Sequence, residues 1–126
     1  MGQRPFDWPR PDGAPDVGEA WASSSRMLRS WTVHNYLTGR RATTQGATYL
    51  VAADWLPPLP ATVGEIVNSA ALRVISEPPD ARLMNAIETR IRLPLGNVVH
   101  DMSDFGEFRV TAMLAALLDS PQHMTR

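Results

Sequence analysis

Three histidines, His34, His100 and His123, are the side chains of this chain best suited to move a proton or hold a metal ion near neutral pH. No two stand four residues apart, the spacing that places both imidazoles on one helix face for zinc. His100, Asp101 and Asp104 form the one dense group of potential ligands and are the metal candidates. Asp104 has a plainer use. It stands three residues before Glu107, so its carboxylate can cap the amides that open the last helix. His34, inside a helical stretch, is an acid–base candidate, and so is the His100–Asp101 pair; His123, close to the end of the sequence, is expected to be solvated. Ser23, Ser24 and Ser25 lack the glycines of a nucleophile elbow and read as capping residues. Gly13 and Gly18 do not make a phosphate loop. Arg26 and Arg29 share a helix face, with Arg40 and Arg41 just beyond, and are the candidates for phosphate contact. A solvated face with Asp16 and Glu19 as partners is the simpler reading of that charge. No catalytic, cofactor-binding or metal site is assigned, and no cofactor is expected.

Composition narrows the chemistry further. There are no cysteines, which removes disulfides, thiolate ligands and thiol nucleophiles together. All twelve basic residues are arginine, so Schiff-base chemistry and a complete P-loop, both of which need lysine, are excluded. The net charge of −1 gives no general attraction to nucleic acid or to an anionic membrane. No stretch approaches the ~18 apolar residues that span a bilayer. Arg4 is followed by Pro5, Phe6, Asp7, Trp8 and Pro9, which is no export signal, so the expected compartment is the cytoplasm by default.

The 126 residues suffice for one domain, and 44% hydrophobic with 20% charged is a globular composition. The expected fold is all-α, with four to five helices, a proline-rich irregular arm and a long central connection. Prolines 5, 9, 11 and 15 keep residues 1–16 from helix, and Asp16 with Glu19 permits a short helix from about Val17. Arg26 to Leu37 predicts a helix ended by Gly39. Gly39–Ala61 reads as a connection. Thr62 with Glu65 opens the clearest helix, with Val63, Ile66, Val67, Ala70 and Val74 at helical spacing. "SEPPD" at Ser76–Asp80 ends it and starts another, with a stripe of Leu83, Met84, Ile87 and Ile91 stopped by Pro94 and Gly96. A last helix from Asp104 buries Val110, Met113, Leu114, Leu117 and Leu118 and ends at Ser120–Pro121. Trp8, Trp21, Trp31 and Trp55 are expected to anchor irregular segments to the helical core.

"MGQRPFDWPRPDGAPDVGEAW" followed by "SSSRMLRSW" resembles the C-terminal part of a large bacterial family, the domain of unknown function 1800 family. Gly2, Gln3, Pro5, Trp8, Pro9, Pro11, Gly13, Pro15, Asp16, Ala20 and Trp21 carry the pattern, with Ala14 where the family has an aromatic residue. "AADWLPP" at Ala52–Pro58 resembles the linker of actinobacterial members, and "LAALLDSPQHMTR" at Leu114–Arg126 resembles the family's last helix and terminus. The resemblance implies a longer, mostly helical protein of unestablished function, in which Met1 aligns with an internal position. It implies as partners the missing N-terminal part of the same fold, or self-association, and the product of a neighbouring sulfatase-related gene. The leading expectation is therefore a C-terminal structural portion without catalysis of its own. The alternatives are an enzyme subdomain whose catalytic residues lie elsewhere, and a small helical nucleic-acid-binding module, against which the near-neutral charge weighs.

Overall fold

In a computed structural model of the chain, residues 24–39 and 48–124 are described, with the side chains of residues 24–26 and 124 excepted. Six helices and one two-residue β-pair follow in order: α1 (Ser24–Thr38), a 3₁₀ turn (Ala52–Trp55), β1 (Ala61–Thr62), α2 (Val63–Val74), α3 (Ala81–Ile91), β2 (Val98–Val99), α4 (Met102–Phe105), α5 (Glu107–Leu118) and α6 (Pro121–Met124). The class is all-α, as the sequence predicts. The arm over residues 1–16, the helix near Val17, Trp8, Trp21, Arg40 and Arg41 lie outside the described residues.

The start of α2 shows local sequence becoming structure. The Thr62 amide donates to Glu65 Oε2 at 2.7 Å, and the Glu65 amide donates to Thr62 Oγ1 at 3.2 Å. This reciprocal box satisfies amides that the first helical turn would leave bare. The bonds from the Thr62 amide and hydroxyl hold the Glu65 carboxyl below its ordinary range. The next two amides go elsewhere, Val63 N–H to Asn97 O and Gly64 N–H to Leu95 O, both at 2.9 Å. The antiparallel pair Ala61–Val99 extends the same contact, so the loop after α3 is tied to the entry of α2. Val63, Ile66, Val67, Ala70 and Ala71 are buried behind it.

Asp80 caps α3, accepting the Leu83 amide at 2.7 Å, and Leu83, Ile87 and Ile91 form the buried stripe. The helix stops at Arg92 in the left-handed region (φ 55°), two residues before Pro94. Glu88 then takes the Leu95 amide at 3.1 Å. α5 runs through the middle, touching α1, α2, α3, α4, α6 and the 3₁₀ turn. Its Val110, Ala112, Met113, Leu114, Ala115 and Leu117 are buried, and Leu118 is half-buried.

One expectation is corrected here. Asp104 does not cap the last helix. Asp101 caps a separate turn, α4, through the amides of Ser103 and Asp104 at 2.7 and 3.1 Å, while Asp104 accepts the His100 amide at 3.0 Å. Gly106, at φ 81°, then breaks the chain between α4 and α5. That angle is open to glycine because it has no Cβ. The break turns Phe105 fully into the core. Arg109 bridges the corner, donating from Nε to Ile91 O at 3.1 Å and from Nη1 to Phe105 O at 2.9 Å.

Candidate functional site

α1 spans three residues more than the expected Arg26–Leu37, and the Gly39 amide closes it on Asn35 O at 3.0 Å. Among its described side chains only His34 is buried, at 7% exposure. Large apolar neighbours are open: Leu28 at 58%, Tyr36 at 53% and Trp31 at 39%, with Met27, Val33 and Leu37 also exposed. Trp31 is therefore not the core anchor expected of it. Trp55 is half-buried against the core, with the Arg73 guanidinium 4.5 Å above its ring.

His34 meets a residue 85 positions away. Its Nδ1–H donates to Asp119 Oδ1 at 2.6 Å. A carboxylate only accepts, so the proton sits on Nδ1. Nε2 faces Ser30 Oγ across a long 3.4 Å contact. Asp119 is the C-cap of α5, its own amide held by Ala115 O. The His123 ring stands edge-on to His34 with centroids 6.0 Å apart. His123 is thus not a solvated tail residue. Ser120, buried beneath, accepts the His123 amide on its hydroxyl at 3.2 Å and opens α6, with Pro121 at the first helical position. Beside Asp119 lies a shallow depression of about 370 Å³, to which Trp31, Asn35 and Arg90 contribute.

The order Ser30–His34–Asp119 is that of an activated serine, but the surroundings are not. Ser30 is in mid-helix, where backbone amides are committed to carbonyls one turn back, so α1 offers no oxyanion donors. The arrangement can orient an imidazole and hold two helices together.

The other candidates are not brought to it. His100 and Asp101 are exposed at the entry of α4, and Asp101 Oδ1 accepts the capping bonds from the Ser103 and Asp104 amides. Its carboxyl is held below the ordinary range by the Ser103 hydroxyl, then by the Asp104 and Ser103 amides, with a small contribution from His100. No group of three metal-binding side chains forms among the described residues. Arg29 is exposed, and the side chain of Arg26 lies outside the described residues. Sequence reasoning missed Asp119 and Ser30 as partners of His34. Ser30 alone had a signal, standing four residues before His34. An apolar cavity of about 340 Å³ lies between the end of α1 and α5, walled by Leu37, Thr38, Trp55, Val110, Leu114 and Leu118 among others.

What fold and site define is an all-α fold, with a histidine–carboxylate pair joining α1 to the C-cap of α5. The chain matches the model of the family described as "Protein of unknown function (DUF1800)" over residues 1–125, and it belongs to that family. No curated protein and no solved structure matches it. No helix among the described residues is long and apolar enough to cross a membrane.

Proposed function

We propose that this chain is a C-terminal structural portion of a larger helical bacterial protein, with no catalytic activity of its own. One observation carries the reading. α1 turns Leu28, Trp31 and Tyr36 to the outside on one face and buries a histidine. An apolar stripe normally faces a core, and a contiguous exposed one marks a contact surface. The occupant is the N-terminal part of the same family fold. The test is complementation: the separately expressed N-terminal part of a longer family member is mixed with this chain. A stable complex that slows amide exchange in α1 is expected. No complex at high micromolar concentration overturns the reading.

A second reading, an enzyme subdomain, is favoured by the 2.6 Å His34–Asp119 bond, since a carboxylate that orients an imidazole is also an acid–base device. Replacing His34 by alanine in a full-length relative of measured activity separates the two. An unchanged rate supports the structural reading, and a loss well beyond the change in folded fraction supports the catalytic one.

A further inference from the structure

α1 and α5 pack together, yet α1 contributes one buried side chain among those described, and it is polar. A second hydrogen bond between the two helices, from Thr111 Oγ1 to Thr38 O, is long at 3.4 Å. Apolar burial is non-directional and degrades gradually, whereas a hydrogen bond to a charged group is made or lost as a unit. A helix whose one buried described side chain is held by such a bond has a local opening step well below global unfolding.

We propose that the His34–Asp119 bond is a latch. While it is closed, α1 lies on α5; when it opens, α1 leaves as a unit and α2, α3 and α5 stay folded. Geometry supports both halves. The latch joins two fixed backbones, because the Asp119 amide is held on Ala115 O and His34 lies within the helical turn of Ser30, which faces the far nitrogen of the ring. The part left behind has its own core, since Ile66, Ile87, Phe105, Met113 and Leu117 are fully buried without any α1 residue in the cluster. Opening also removes Leu37 and Thr38, the α1 wall of the 340 Å³ apolar cavity, and bares the strip of α5 that carries Val110, Leu114 and Leu118. The device therefore exposes an apolar surface on one trigger. The charged or titratable groups around it are Asp119 from α5, His123 from α6 and Arg90 from α3.

Amide exchange followed by mass spectrometry on the full chain, for wild type, Asp119→Ala and Asp119→Asn, is the test. With Asp119→Ala, amides of residues 28–38 are expected to exchange about tenfold faster or more, while those of α2 and α3 keep their wild-type rates. Asp119→Asn keeps the shape and removes the charge, and should fall between. Three results overturn the proposal: no change in α1, an equal acceleration in every helix, or loss of α2 and α3 helicity on substitution. The last two place the bond in the global core rather than at a latch.

Discussion

α3 and α1 lie against the same helix and are held to it by different physics. α3 turns Leu83, Ile87 and Ile91 into the core that it shares with Met113 and Leu117 of α5, and Arg109 ties the end of the pair to Ile91 O. α1 presents His34 to Asp119 and leaves Leu28 and Tyr36 more than half exposed. The first contact rests on area removed from water, at about 25 cal/mol per Å², and tolerates small shifts. In the second, the one buried side chain among those described on α1 depends on the position of one proton donor and one carboxylate. Neighbours of one helix can therefore differ in how they come off, and the α1 side is the one able to change partner.

The comparison breaks most visibly in the core. Phe105→Ala removes a fully buried ring from the corner of α4 and α5 and is expected to cost about 3–5 kcal/mol of global stability, read as a lowered thermal midpoint by circular dichroism. If only local exchange at α4 changed, the α3–α5 side would not be the cooperative unit described. Next comes Asp119→Ala, expected to cost about 1–3 kcal/mol by stranding a buried donor, with that loss confined to α1. Thr62→Ala removes half of a capping box, and about 1 kcal/mol should be lost in chemical denaturation, with the α2 amides nearest the cap affected first.

Acid gives a graded version of the same test. The carboxyls of Glu65 and Asp101 are both lowered in the folded chain. Groups lowered on folding contribute stability that is present above their unfolded pKa values and lost as pH falls through the folded ones. Protection at the starts of α2 and α4 should therefore hold from neutral pH through the ordinary carboxylate range and fall below it, as followed by amide exchange or NMR in acid. The smallest effect is expected from Tyr36→Glu, within about 0.5 kcal/mol in this chain alone, because the side chain is more than half exposed. The same change should abolish the complex with an N-terminal part. A large stability loss in the isolated chain would mean that Tyr36 is already packed.

Much of the helical frame is legible in local residue patterns. Thr62 with Glu65, Asp80 before Leu83, and Gly39 after Thr38 each act within four residues, so their hydrogen bonds can be read from spacing. The stripes Val63–Ile66–Val67–Ala70 and Leu83–Ile87–Ile91 are periodic for the same reason. The last part of the chain was harder. Asp101 and Asp104 both have N-cap chemistry, and local rules favoured the one with Glu107 three residues on. The burial of Phe105 goes with the other, through a glycine at φ 81°. His123 read as tail because "SPQH" gives only a weak start signal, whereas in the fold Ser120 caps a turn packed beside His34.

The sequence by itself determined the four longer helical segments, α1, α2, α3 and α5, most of their ends, the chemistries excluded by the absence of cysteine and lysine, and the family, because all of these depend on residues near one another in the chain or on composition. Only the tertiary structure decided that His34 is buried and that Asp119, 85 residues on, is its partner. It also decided that the apolar residues of α1 face outward. Pairing across that distance leaves no periodic or local trace; it exists only once α5 has packed and its C-cap has a fixed direction.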